Sequence, residues 1–186
     1  MKVFTGLALL AVAFTGLSCT PAYVTQNQGD VIMVITGFAT NPLISDVQNL
    51  KSGTKADQDV ANVAVRFKNP GLTPPSIPNA VLMDRYTIDY VRSDGRNVQG
   101  VDVPFSISEN ISGAIDVASS GSSPFNLEVV TLQAKTEPPL LNLVGQGGAI
   151  VFTVQANVTL YGHTVSGVNV SATGSLQIDF ADFVDQ

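Results

Sequence analysis

The chain has 186 residues, 45% of them hydrophobic and only 13% charged, a balance that fits one packed domain and excludes a disordered chain. Nine Lys and Arg stand against fifteen Asp and Glu, giving a net charge of −6 with no basic run, so nucleic acid and anionic lipid headgroups are poor partners. Sixteen Gly and ten Pro are ordinary usage, which sets collagen and low-complexity polymers aside, and the absence of Trp weakens any stacking platform for bases or sugars.

Lys2 supplies a positive start, and Val3 to Leu17 (VFTGLALLAVAFTGL) forms an apolar run of about 15 residues. A helix needs ~20 to span a bilayer, so the run suits the apolar region of a secretory signal instead. A buried N-terminal core helix is the competing reading, but the run has no polar face and no start cap. Ser18 is small, as a cleavage site requires, and Cys19, the only cysteine, follows at once. A lone thiol closes no disulfide within the chain, and a narrow position at the end of a signal favours modification.

Residues 1 to about 22 resemble a bacterial lipoprotein signal, in which the new N-terminal Cys is acylated after cleavage. That pattern prefers Leu three residues before the Cys and a small residue two before. Here Gly16 and Leu17 hold those places in the opposite order, while Ser18 fits. The resemblance implies lipidation of Cys19, export to a Gram-negative or similar envelope and, with Thr20 rather than Asp following, the outer membrane. The alternative is ordinary cleavage after Ser18 or Ala22, releasing a soluble secreted protein. The expected organisation is a signal peptide over 1–18, a lipid-anchored tether over 19–29 and a single domain over 30–186.

Beyond the polar tether, Val31 to Phe38 (VIMVITGF) is a continuous β-branched run, read as a buried strand that Asn41-Pro42 breaks. Residues 45 to 59 have little period and read as a long loop. Val60 to Lys68 alternates, with Val63, Val65 and Phe67 on one face. Asn69 to Asn79 (NPGLTPPSIPN) is too Pro-rich for a central strand and reads as a crossing loop. Val81 to Arg92 places Tyr86, Ile88 and Tyr90 on one face, and the company of Ile88 makes that face core rather than a binding surface. Asp94-Gly95 signals a hairpin whose return strand runs over about Arg96 to Phe105, with a weaker strand near Gly113 to Val117.

Ser119 to Pro124 (SSGSSP) reads as a loop, and Phe125 to Lys135 alternates again. Residues 136 to 148 are the only helical candidate, with Thr136 as cap, Pro138 in the first turn and Gly145 at the end. Ala149 to Tyr161 has the cleanest period of two. Gly162-His163 reads as a turn, after which Thr164 to Ala172 and Ser175 to Phe180 finish the chain as strands. Eight or nine short strands without αβ alternation predict an all-β fold with at most one short helix. The form expected is an antiparallel, Ig-like or fibronectin-III-like β-sandwich, with a closed barrel as alternative.

Candidate chemistry is sparse. His163 is the only histidine, and no GxSxG stretch supplies a nucleophile elbow for it to serve. One His and one signal-region Cys do not make a zinc shell. Gly145-Gln146-Gly147-Gly148 precedes a strand, whereas a phosphate cradle precedes a helix. Asp57, Asp59, Asp179 and Asp182 are scattered and form no EF-hand loop, which leaves open a calcium ion held between loops. Asn110, Asn157 and Asn169 match glycosylation acceptors, of use only in a eukaryotic secretory host. The expected protein is a non-enzymatic envelope lipoprotein with no catalytic residues, no metal and no cofactor. Its expected partners are the membrane, through Cys19, and another envelope or extracellular protein. A ligand- or sugar-binding surface module, and behind it a hydrolase using His163, are the alternatives.

Overall fold

The computed structural model describes residues 29–69, 71, 80–117 and 121–183. The signal segment, Cys19, the tether up to residue 28 and most of the Pro-rich stretch 69–79 lie outside the described residues.

Eight strands are found among the described residues: β1 (Val31–Phe38), β2 (Leu43–Asp46), β3 (Asp57–Phe67), β4 (Val81–Val91), β5 (Ile107–Ile115), β6 (Ser123–Val130), β7 (Phe152–Thr164) and β8 (Asn169–Ala181). A single helical turn, α1 (Leu132–Lys135), follows β6, and a 3-10 turn covers Leu140–Leu143. The strands form two sheets, β1-β3-β6 and β2-β8-β7-β4-β5, packed face to face as a β-sandwich. Every pairing is antiparallel except β2 with β8, which is parallel.

Period-two burial builds the interior. Val154, Ala156, Val158 and Leu160 of β7 are fully buried, as are Leu176, Ile178 and Phe180 of β8. The expected faces of β3 and β4 hold: Val63 and Val65 point inward, as do Tyr86, Ile88 and Tyr90. Sheet meets sheet closely at Gly174, where a Cβ would lie 3.0 Å from Ile35 Cγ2. The two inward tyrosines also tie the layers by hydrogen bonds. Tyr90 donates its hydroxyl to Val129 O of β6 at 2.7 Å, and Tyr86 Oη accepts from Glu128 N–H at 3.1 Å.

Several boundaries differ from the sequence reading. The stretch 45–59 is not one long loop, because β2 occupies Leu43–Asp46 and β3 begins at Asp57. Four residues are too few to show a period, yet Leu43 and Ser45 are buried with Ile44 outward. Residues 96–105 do not return as a strand. They fold as a loop with one isolated bridge, Gln99 to Val103, and β4 is met instead by β5, with Ile88 opposite Ile107. Gly162 and His163 do not turn the chain. They pair with Val170 and Asn169 inside the β7–β8 ladder, and the reversal comes four residues after His163, around Gly167, whose φ is +84°. Nor is β8 divided, since it runs unbroken through Thr173 and Gly174. One helical turn falls before the expected 136–148 window, capped by Thr131, whose hydroxyl accepts from Ala134 N–H at 3.0 Å, and the window itself holds only the 3-10 turn Leu140–Leu143.

The pairings orient the sandwich. Val31, where the chain comes in from the tether, sits opposite Phe67 at the end of β3. The connections 47–56, 92–106 and 131–151 all gather at the other end, beside the last residues of β8.

Candidate interaction groove

Two strands end their sheets on the same side of the sandwich. β5 closes the five-stranded sheet, β6 closes the three-stranded one, and Phe125 of β6 packs onto Gly113 of β5, where a Cβ would come within 2.6 Å of the ring. A groove of about 420 Å³ opens between the first half of β5 and the turn after β6. Pro104, Phe105, Ile107, Ala134 and Pro138 give it an apolar wall, and Ser106, Ser108, Glu109, Thr131, Gln133 and Glu137 supply the polar groups.

The loop before β5 places Phe105. Gly100, at φ +74°, turns the chain so closely that a Cβ there would meet the Phe105 ring at 2.5 Å. Ser106 donates to Asp89 Oδ1 at 2.6 Å and accepts from Gln99 Nε2 at 2.7 Å, which fixes the loop against β4. Phe105 still leaves 56% of its surface in solvent. It belongs to a wider group: of eleven large apolar side chains exposed among the described residues, eight lie in the three connections remote from the tether. These are Leu50 after β2, Val98, Val101 and Phe105 after β4, and Leu132, Leu141, Ile150 and Val151 after β6. Such concentration at one end is more than the scattered apolar exposure of ordinary surfaces.

The groove's electrostatics are one-sided. Tyr86 donates to Glu109 Oε2 at 2.7 Å. Burial pushes the Tyr86 hydroxyl well above the tyrosine range, reinforced by its bond to Glu109 and that carboxylate's charge. Burial also raises the Glu128 carboxyl, and the nearby Glu109 charge adds to it. Glu137 lines the groove beside Gln133, whose Nε2 donates to it at 2.9 Å. Lys135, the cation nearest in sequence, turns inward with 2% of its side chain exposed, donating to Asp46 O at 2.7 Å and lying 2.9 Å from Asp57 Oδ2. The charged side chains lining the groove are therefore both carboxylates, Glu109 and Glu137.

The residues singled out in the sequence do not come together. His163 is in β7, not a turn, with its Nδ1 3.0 Å from Asp84 Oδ2 on the outer face of the sheet. Asp84 reaches it because β4 carries one extra residue against β7 between Met83 and Arg85, an irregularity that re-aims a side chain. Asp57 serves Lys135 and Ser45, whereas Asp59 is buried and accepts from Thr40 N–H. Asp179 accepts from Thr153 at 2.6 Å, and Asp182 takes the Gly145 N–H at 2.6 Å, so this amide of the glycine-rich stretch is bound by a carboxylate of the chain itself. Among the described residues no three His, Cys, Asp or Glu side chains form a metal-holding group. Asn110 stands exposed on β5, Asn157 accepts from Ser175, and Asn169 opens β8. Cys19 lies outside the described residues.

Sequence reasoning missed Glu109, Glu137 and Phe105. Their only signal was local, an exposed Phe between Pro104 and a polar strand, because the groove is made by joining segments some thirty residues apart. The chain matches no family model, no curated protein and no solved structure.

Proposed function

We propose that the protein is a lipoprotein of a bacterial cell envelope, held at the outer membrane through acylated Cys19, that presents an Ig-like sandwich to a protein partner and catalyses no reaction. The observation that carries this reading is polarity along the molecule. The tether leads into one end of the sandwich, and the groove and eight exposed apolar side chains lie at the other. An anchored module would offer that far end to whatever stands off the membrane.

The strand order supports the Ig-like assignment. In that reading β1, β3 and β6 would take the places of A, B and E, and β8, β7, β4 and β5 those of G, F, C and C′, with β2 an added parallel edge beside β8 and no D strand among the described residues. Each acyl chain would contribute about 0.8 kcal/mol per buried methylene, so two or three of them hold a domain on a bilayer nearly irreversibly.

Intact mass of the membrane-extracted protein tests the anchor. The expected product begins at Cys19 and carries a diacylglycerol and a fatty acid, and Cys19→Ser is expected to leave the membrane fraction. An unmodified chain beginning later would refute it. Site-specific photocrosslinkers at Phe105, Leu50 and Ile150, against one at Val165 near the tether, test the presentation. Adducts are expected only from the first three, and adducts only from Val165 would reverse the polarity argued above.

A further inference from the structure

We propose that β5 and its groove bind an extended peptide segment of another protein, one that carries a Lys or Arg side chain and adds a sixth strand to the five-stranded sheet. This deepens the interaction-module reading and rests on it.

An edge strand leaves half of its backbone N–H and C=O groups unpaired, and proteins commonly blunt such edges. The other edges here are blunted. β2 has only four residues. β1 is distorted between Ile35 and Gly37, and its regular stretch, Val31–Ile35, starts at the tether end, away from the groove. On β6, the backbone N–H of Glu128 is taken by the Tyr86 hydroxyl. β5 differs: it is nine residues long, contains neither Pro nor Lys, and between Ser108 and Ala114 only Ile111 is even partly buried. Its one irregularity against β4 falls between Asn110 and Gly113. That leaves Ile107–Asn110 in regular register, from Ile88–Ile107 to Arg85–Asn110, right where the strand borders the groove.

Strand addition draws affinity from main-chain hydrogen bonds and specificity from pockets that take alternate side chains. The groove is such a pocket on the inner side of the added strand. Its wall of Phe105, Pro104 and Pro138 suits an aliphatic stem, and its charged groups are Glu109 and Glu137. A Lys or Arg side chain matches both features, stem on the wall and cation between the carboxylates. A second copy of this chain is a poorer occupant, since β5 laid against β5 brings Glu109 towards its twin with no base on either strand.

The test uses the full-length protein in detergent and a displayed library of short linear peptides, selected in parallel on the unaltered protein and on Glu137→Lys. Glu137 is half-exposed and its side chain is bonded only to Gln133, so the variant, which keeps the backbone bonds, is expected to keep its far-UV circular dichroism and melting temperature. Selected peptides are expected to carry Lys or Arg and to lack central Pro. One synthesised from the selection should bind Glu137→Lys and Glu109→Gln at least about tenfold more weakly, since the added strand would cover both carboxylates and each variant removes or reverses a partner of its cation. On binding it should slow amide exchange at residues 107–110. Peptides without basic residues, protection on a different edge, or no selected peptide would overturn the proposal. A photocrosslinked adduct of twice the chain mass would replace the peptide by a second copy. Adducts from Leu50 and Ile150 but none from Phe105 would overturn the groove assignment while leaving the interaction-module reading in place.

Discussion

Removing the ammonium of Lys135 should destabilise the sandwich more than any other single charge deletion among the described residues. Lys135 ends α1 and reaches down between β2 and β3, where its Nζ donates to Asp46 O at 2.7 Å and to Asp57 Oδ1 at 3.0 Å. Asp57 in turn accepts from the Ser45 hydroxyl at 2.5 Å, and Ser45 is fully buried. Breaking a buried ion pair from one side costs about 3–5 kcal/mol because the partner charge is stranded. The Asp57 side chain keeps 22% of its surface in water, which softens that penalty, so Lys135→Ala should cost about 2–4 kcal/mol. At the ordinary sensitivity of a domain this size, that is a drop of ~4–16 °C in Tm. Lys135→Met keeps the packed stem and should cost about 1 kcal/mol less than the Ala variant. Adding Asp57→Asn to Lys135→Met should recover part of the loss, because no lone carboxylate then remains. Urea unfolding followed by far-UV circular dichroism measures all three, tyrosine fluorescence giving a second probe in a chain without Trp. A Lys135→Ala protein within about 0.5 kcal/mol of the parent would show that the network is not coupled to folding.

Gly162→Ala should lower stability by at least about 2 kcal/mol, since its Cβ would collide with the Leu82 carbonyl oxygen and press on Val81 in the neighbouring strand; recovery of soluble, β-rich protein at the parental Tm would refute this. Tyr90→Phe should cost about 1–2 kcal/mol by stripping the buried Val129 carbonyl of its donor, measured by urea unfolding. Tyr86 and Tyr90 are both raised above the free tyrosine value, first by burial, so the unfolded chain releases these protons sooner. Stability should then be intact below the free value of about 10 and fall as pH rises beyond it, with two of the four tyrosines silent in the 295 nm titration until the protein unfolds. Glu128→Gln should leave stability at pH 7 unchanged or slightly higher, because the carboxyl's raised value marks a charge held at a cost; a clear loss would assign it a partner the structure does not give.

The fold was legible wherever burial and period coincide over enough residues. β7 and β4 announce themselves because one face must be apolar along a dozen positions, and no helix period competes. β2 was not legible, since four residues after Asn41-Pro42 carry no measurable period and its parallel pairing with β8 depends on the far end of the chain. The misplaced hairpin has a similar cause. Asp94-Gly95 is a true turn, with Gly95 at φ +81°, but Asp94 binds Arg92 and Arg96 at 2.6 and 2.9 Å and closes a local knot rather than a ladder. Turn chemistry reports the reversal of the chain, and pairing is decided by which later strand offers a buried face, here Ile107 opposite Ile88. At Gly162 the error ran the other way. The glycine is there for the close approach of Leu82, not for a reversal.

The candidate site escaped sequence reasoning for a reason of kind rather than degree. Catalytic and metal sites leave marks because their residue types are rare, and the single His and the scattered acids could be weighed one by one. A strand-addition site has no special residue type. It consists of an edge that lacks blunting and a neighbouring surface that complements a side chain, and both are relations between strands. Glu109 gains meaning only once Tyr86, Glu128 and Glu137 are placed around it, and β5 only once nothing among the described residues pairs on its outer side. What the sequence does carry is the negative half of the condition. From Ile107 to Ile115 it reads ISENISGAI, with no Pro and no Lys, and an edge whose Ile107–Asn110 stretch is regular and uncovered is a liability unless something lies along it. Placing Lys at Ser108 or Ser112 should therefore protect the isolated protein from association at high concentration while abolishing peptide capture, and a variant that kept full capture would separate the open edge from binding.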